Sequence, residues 1–399
     1  MVWYERAGLA PDEAAREHSH RLARHIDEVL TDAGGWLDFA RFMELALYAP
    51  GLGYYAAGAV KLGREGDFVT APEMTPLFAR TLANPIARTL ASLDGSGEML
   101  ELGAGSGQLA FDLLLSLQQQ QALPTHYWIM EVSPDLRSRQ RDRLAELPDD
   151  LFRRVSWCER WPEQIRGVVL ANEVLDAMPA QRLRWHDGRW YQAGVARMGG
   201  HWGWEYRWLE DETLLEGLPD MTGYPDPYDT EVAPVVEGVM ATLASSLVEG
   251  RAFLIDYGFP AREYYHPQRS GGTLMCHYRH HAHGDPLVLP GLQDITVHVD
   301  FTRVAQAARR YGLRLEAWAG QAQWLMDEGI VEHLESLHRA VPVDYRQLGA
   351  AQKLLSPAEM GELFKVLVVG HGSESQAALT ALGLGEEEPN GSGDQASEG

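Results

Sequence analysis

Directly after the apolar run Met99-Leu100 come Glu101-Leu102-Gly103-Ala104-Gly105-Ser106-Gly107, a carboxylate followed by three alternating glycines. Glycine admits a sharp turn and lets the backbone approach a ligand closely. A helix that starts behind such a loop presents its free N–H groups to that ligand. A dinucleotide site calls for G-x-G-x-x-G with an acid about 20 residues further on. Gly103 and Gly105 fit that pattern, but Gln108 stands at its third position, which disfavours an NAD-dependent oxidoreductase. The G-x-G-x-G spacing suits S-adenosylmethionine (SAM), which has no pyrophosphate to cradle and whose amino-acid end needs the loop. The carboxylate of Glu131 ends the next apolar run, beside the loop, where it can accept both ribose hydroxyls. The competing reading is an ordinary strand-to-helix turn. The series strand, glycine loop, helix, strand and acid weighs against it.

A second constellation follows the apolar run Val168-Val169-Leu170-Ala171, which delivers Asn172, Glu173 and Asp176 to the same end of a sheet. Methyl transfer from a sulfonium needs a nucleophile with a free lone pair in line with the methyl group. A guanidinium arrives charged and delocalised. Carboxylates would bind it bidentately and stabilise its charge as the reaction proceeds. The alternative has Asp176 capping a helix and Glu173 solvated. Asp256 and Tyr257, at the end of a later apolar run, are further candidates for the crevice, against a turn cap and plain core. Asp300 reads as the N-cap of a helix beginning at Phe301. Cys276-His277-Tyr278-Arg279-His280-His281-Ala282-His283 has no standard zinc spacing, so no metal is expected.

These groups need a parallel sheet to hold them. Short apolar runs at 99–102, 126–131, 155–157, 168–171 and 252–256 alternate with helical patterns at 108–117, 137–147, 231–249 and 301–311, and strands are expected at 313–318 and 364–369. Helices are also expected from Asp12 to Asp32, from Asp38 to Tyr48 and from Met74 to Leu93. The tryptophan-rich stretch 183–208, with turns at Asp187-Gly188 and Gly199-Gly200, reads as an antiparallel β insertion forming a small core. Residues 257–299 read as a long irregular connection. The expected fold is α/β, a Rossmann-like, seven-stranded, mostly parallel sheet of the class I SAM-methyltransferase type. Residues 1–95 would be a helical N-terminal region and lid, and 96–372 the core with insertions at about 180–230 and 257–300. Residues 373–399 would be a disordered acidic tail.

The chain has 399 residues, 45% of them hydrophobic, enough for a sizeable core. Its formal charge of −23 repels phosphate backbones and disfavours a nucleic-acid partner, while a cationic protein segment would be attracted. Two cysteines, no basic leader with an apolar run, and no apolar stretch of about 20 residues lead to an expectation of a cytoplasmic protein without a membrane span. A homodimer is left open.

Gly66-Asp67-Phe68-Val69-Thr70-Ala71-Pro72-Glu73, the glycine loop, Asn172-Glu173-Val174-Leu175-Asp176-Ala177-Met178-Pro179, Ile255-Asp256-Tyr257-Gly258 and Asp294-Ile295-Thr296 occur in that order. Together they resemble the MidA family of class I SAM-dependent methyltransferases, over about 26–369. The mitochondrial members of that family are complex I assembly factors that methylate a protein arginine. The resemblance implies SAM held by Glu101, Gly103, Ala104, Gly105, Gly107 and Glu131. It implies a lid of Gly66, Asp67, Thr70, Pro72 and Glu73, with Asn172, Glu173 and Asp176 facing the acceptor. It further implies an arginine of a protein substrate as that acceptor. A small-molecule or RNA methyltransferase, or a non-catalytic SAM-binding assembly factor, would share the cofactor loop.

Overall fold

The computed structural model describes residue 4 and residues 7–57, 70–339 and 344–385. In chain order the elements are α1 (Glu13–Asp32), β1 (Trp36–Asp38), α2 (Phe39–Tyr48), α3 (Ala71–Met74), α4 (Leu77–Ala91), β2 (Glu98–Leu102), α5 (Gln108–Gln119), β3 (Tyr127–Met130) and α6 (Pro134–Leu144). There follow α7 (Asp149–Phe152), β4 (Val155–Cys158), β5 (Ile165–Asn172), β6 (Gln181–His186), β7 (Arg189–Met198), β8 (His201–Trp208), β9 (Tyr228–Val232), α8 (Val235–Ser246) and β10 (Leu247–Phe259). The last third holds α9 (Ala261–Tyr264), β11 (Met275–Tyr278), β12 (His281–His283), β13 (Asp294–Thr296), β14 (Val299–Asp300) and α10 (Phe301–Arg310). The chain closes with β15 (Arg314–Gly320), α11 (Gln321–Asp327), α12 (Ile330–Arg339), α13 (Tyr345–Leu355), β16 (Phe364–Gly370) and α14 (Gln376–Ala381).

The central sheet runs β15-β16-β10-β5-β2-β3-β4, with β14 added against β10. Strands β2, β3, β4, β5 and β10 are parallel, and β16 is antiparallel to both of its neighbours. Eight strands therefore stand where seven were expected, the eighth being the two-residue β14. Side chains of β5 alternate as a strand buried on both faces requires. Val168 and Leu170 join the core under α4 and α5, while Val169 and Ala171 join the core under α8 and α10.

A second, antiparallel sheet runs β1-β7-β6-β9, with β8 paired to β7. It contains the tryptophan-rich insertion and extends beyond it at both edges. Trp202 and Trp204 pack against Phe42 and Phe39 of α2 at ring distances of 5.5 and 5.2 Å, so the insertion clamps the N-terminal helices. A third sheet, β12-β11-β13, lies inside the stretch read from sequence as irregular. Its strands are three or four residues long, too short for a periodicity to register.

Several boundaries are corrected. The helix expected over 74–93 is α4, which starts only after Pro76 as its N-cap and ends at Ala91, and the short α3 precedes it. The helix expected over 231–249 is only α8. Glu231 belongs to β9, where it pairs with Arg182, and 247–249 begin β10. The tail expected to be disordered from 373 instead forms α14, whose Ala378 and Leu379 are buried with Leu382. Residues 386–399 of that expectation lie outside the described residues. Asp12, Asp38 and Asp300 cap α1, α2 and α10 through their carboxylates.

The joint between the N-terminal helices and the second sheet rests on Gly194 of β7, which faces Asp38 across the β1 pairing. A Cβ there would lie 2.4 Å from the Leu37 carbonyl oxygen and 2.3 Å from the Trp36 indole. Gly194→Ala is expected to destabilise the chain by about 1–3 kcal/mol, read as a lower melting temperature by calorimetry. An unchanged melting temperature would mean that this joint is loose.

Candidate active site

The parallel strands end together at a cavity of about 360 Å³, where crossovers leave on opposite sides of β2. Glu101, Gly103, Ala104, Gly105, Ser106, Glu131, Asn172 and Glu173 line it, and Thr70, Pro72 and Glu73 close it from the N-terminal side. Gly107 lies behind this wall as the N-cap of α5. Gly66 and Asp67 lie outside the described residues.

Three glycines of the loop take left-handed backbone angles, φ 59° at Gly103, 54° at Gly105 and 85° at Gly107. A Cβ on Gly103 would meet Val174 at 3.3 Å, and one on Gly107 would meet Gln140 at 3.3 Å. Gln140 ties the loop to the next strand. Its amide donates to the Gly105 carbonyl and to Glu131 Oε2, each at 3.0 Å, and it accepts from the Trp157 indole at 2.8 Å. Glu131 also accepts from the Ser133 backbone N–H at 2.9 Å. Burial raises its carboxyl pKa above the usual range, against these hydrogen bonds. Glu101 is 2% exposed and accepts from the Tyr127 hydroxyl at 2.8 Å. Burial pushes its pKa up to about 7. The Ser106 hydroxyl donates to Glu73, which links the lid segment to the glycine loop.

The turn after β5 carries the acids. Glu173 has φ 55°, a left-handed angle at a non-glycine residue, and such a backbone costs energy unless its surroundings hold it. Asp256, at the end of β10, supplies the hold. Its Oδ2 accepts from the backbone N–H groups of Val174, Leu175 and Asp176 at 3.1, 2.8 and 3.3 Å, and its Oδ1 accepts from Tyr257 N–H at 2.9 Å. Asp256 does not itself line the cavity, so of its two sequence readings the turn cap is the one that holds. It caps a turn, and the turn it caps is the one that faces the cavity. Asp176 does not line the cavity. It is buried behind the wall, where burial together with Asp256, Asp294 and Glu173 raises its carboxyl pKa strongly. Burial, with Asp256 adding repulsion, lifts Glu173 to about 8. Asn172 donates to Glu173 Oε1 at 3.2 Å, and its own Oδ1 is buried without a partner, an acceptor waiting for a donor.

Tyr48 and Tyr55 from the N-terminal region, and Trp161 from the segment before β5, also line the cavity. None was legible as a site residue. Tyr48 ends an amphipathic helix, and Tyr55 sits in a glycine-punctuated stretch without a pattern. Lysine and arginine are absent from the lining among the described residues. The open loop backbone, the unpartnered Asn172 oxygen and the carboxylate of Glu131 fit SAM, with its ribose, amine and sulfonium.

Residues 81–318 match the family described as "Putative S-adenosyl-L-methionine-dependent methyltransferase". A candidate methyl transferase from Burkholderia thailandensis, bound to S-adenosyl-homocysteine, is 42% identical with a TM-score of 0.86, covering 92% of this chain and 96% of that one. The mitochondrial protein arginine methyltransferase NDUFAF7 homolog of Drosophila melanogaster is 28% identical, covering 87% of this chain and 84% of its own. The Danio rerio protein arginine methyltransferase NDUFAF7, also mitochondrial, is 26% identical over 84% of each chain. These relatives overturn the expectation of a cytoplasmic protein, since those from fly, fish and mouse are mitochondrial by name. No helix among the described residues is long and apolar enough to cross a membrane.

The raised Glu173 pKa has a stability consequence of definite sign. Between its ordinary 4.5 and about 8 the unfolded chain ionises while the folded carboxyl keeps its proton, so stability falls as pH rises through that window. Glu173→Gln removes the penalty. Its stability is expected to match the parent's near pH 5 and to exceed it at pH 8.5 by about a few kcal/mol, read as a higher melting temperature. A variant equally less stable at both pH values would show that Glu173 is an ordinary structural acid.

Proposed function

The chain belongs to the S-adenosyl-L-methionine-dependent methyltransferase family that its residues 81–318 match, and on that premise we propose that it methylates an arginine side chain of a protein. The observation that carries this reading is the group of carboxylates beside the cofactor loop. Glu173 is on the cavity wall with Asp176, Asp256 and Asp294 buried around it. Such a group, with no lysine or arginine in the lining among the described residues, attracts a cation. The names of the fly and fish relatives support arginine as its source.

In this reading Gly103, Ala104, Gly105 and Gly107 shape the loop that receives the amino-acid end of SAM. Glu131 accepts its ribose hydroxyls, Glu101 faces its amine, and Thr70, Pro72 and Glu73 cover it. Bound SAM supplies a methyl group made electrophilic by the adjoining sulfonium. Glu173 and Asn172 orient the guanidinium, and Asp176 adds negative potential from behind the wall. Glu173, its ionised form favoured by the arriving cation, would take the proton that the acceptor nitrogen releases as it is methylated. The guanidinium keeps its single positive charge, and the proton leaves from Glu173 to solvent. The electrostatic gain is large because the site is water-poor and its carboxylates are fixed in advance.

Two experiments test the reading. Purified protein given SAM with a labelled methyl group and a cell lysate is expected to label a protein, with mass spectrometry placing the methyl on arginine. Labelling confined to small molecules, or none at all, would refute it. Gly103→Val places a branched side chain at φ 59° against Val174. S-adenosylhomocysteine binding is expected to weaken at least about 100-fold by titration calorimetry, with circular dichroism unchanged. Binding at parental strength would remove the loop from the cofactor site.

A further inference from the structure

Tyr48 and Tyr55 enter the cavity from outside the central sheet. The chain after α2 doubles back along it. The N–H groups of Tyr54 and Tyr55 donate to the carbonyls of Ala46 and Leu47 at 2.9 and 2.8 Å. Gly53 makes this approach feasible, because a Cβ there would lie 2.6 Å from the Leu47 carbonyl. The two rings are thereby set nearly parallel, 5.5 Å apart at 23°, and Tyr54 packs edge-on against Tyr55 at 5.1 Å. Both hydroxyls are also fixed. Tyr48 donates to the Ala177 carbonyl at 2.9 Å, on the turn that carries Glu173, and Tyr55 donates to Asp294 Oδ1 at 2.9 Å. Asp294 is itself buried and accepts from its neighbour Ile295 N–H through the same oxygen.

An aromatic wall beside fixed carboxylates discriminates by shape as well as by charge. A guanidinium is flat and weakly hydrated. It can lie against a tyrosine face while its edge meets a carboxylate. An ammonium is compact and strongly hydrated, so it gains less from the face and cannot offer a fork.

We propose that Tyr48 and Tyr55 form an acceptor-selecting wall, Tyr48 offering its ring to a planar cation and Tyr55 fixing Asp294, buried behind the wall, as a source of negative potential for that cation, so that the N-terminal region sets a preference for arginine over lysine. This rests on the arginine reading above and adds the residues that enforce it. Tyr48 contacts the acceptor in this arrangement, whereas Tyr55 is a positioning residue that acts through Asp294.

The test uses the full chain saturated with S-adenosylhomocysteine, titrated calorimetrically with a short peptide bearing one arginine and with the same peptide bearing lysine. The parent is expected to prefer the arginine peptide by about tenfold or more. Tyr48→Leu is expected to weaken the arginine peptide about tenfold and bring it near the lysine peptide, while Tyr48→Phe, which keeps the ring, restores most of the preference. Tyr55→Phe removes one oxygen and is expected to weaken the arginine peptide about threefold to tenfold. In turnover it should raise KM for that peptide more than it lowers kcat, with S-adenosylhomocysteine affinity within about twofold of the parent. If Tyr48→Leu does not fold, Tyr55→Phe carries the test alone. Variants that bind the product normally and keep the full arginine preference would overturn the wall while leaving the arginine reading intact. A parent that binds neither peptide, or binds both equally, would overturn the arginine reading and the wall together.

Discussion

One carboxylate holds the acceptor side of this site in shape. Asp256 receives three consecutive backbone N–H groups, those of Val174, Leu175 and Asp176, on a single oxygen. Those donors would otherwise be orphaned where the chain leaves β5. With them satisfied, the turn can be tight enough to put Glu173 at φ 55° and still be stable. The carboxylate stands at the end of β10, the strand hydrogen-bonded to β5 in parallel register. The sheet therefore sets both halves of the interaction, and the geometry of the turn follows from strand pairing. Asp256 is itself pushed up by burial and pulled down by the N–H groups it accepts, so its ionised form depends on the turn as the turn depends on it.

Gathering Glu173, Asp176, Asp256 and Asp294 in one buried place costs stability, because buried like charges favour the protonated forms. A core built for stability alone would not arrange them so. A cation entering the cavity reverses the sign of the local field, and Glu173, Asp176 and Asp256 then ionise more readily. The site is thus strained when empty of positive charge and relaxed when it holds one, a difference in free energy that a cationic acceptor can draw on when it binds. Two of the raised acids, Glu173 and Asp176, lie with the left-handed backbone of Glu173 within one turn of chain, where a local exception to folding rules most often marks function.

The parts legible in the sequence were those whose signal is local. A glycine loop behind a short apolar strand, an acid at the end of the next strand, and the N-capping aspartate at 300 each declare themselves within a few residues. So did the tryptophan hairpins, because two turn dipeptides and alternating aromatics fix the register. Long-range arrangements were not legible. Asp176 and Glu173 are three residues apart, yet only one reaches the cavity, and which one depends on Asp256, 80 positions further along the chain. Glu231 reads as the start of a helix because apolar residues follow it, but its pairing with Arg182 makes it a strand residue. In the tail, Ala378, Leu379 and Leu382 look sparse among polar neighbours. Their burial against the central sheet becomes visible only once β15 and β16 are in place.

Tyr48 and Tyr55 belong to that second class and show why the N-terminal region is part of the site as well as a cover for it. The second sheet receives β1 on its edge and seats Phe39 and Phe42 under Trp204 and Trp202. That packing fixes the axis of α2, and its last residue is Tyr48. A ring at the end of a rigid helix loses little further freedom when a ligand docks, so more of the contact energy remains for recognition. The same rigidity reaches Asp294 through the Tyr55 hydroxyl, and from there the turn of Glu173 through the charge that Asp294 brings to Asp176. Two sheets with separate cores thus meet at one cavity. The parallel sheet brings the loop that takes the cofactor, and the antiparallel sheet, through α2, brings an aromatic face to the opposite wall. A class I core alone would carry the loop and the acids but would leave the acceptor side open to water, where carboxylates distinguish cations poorly.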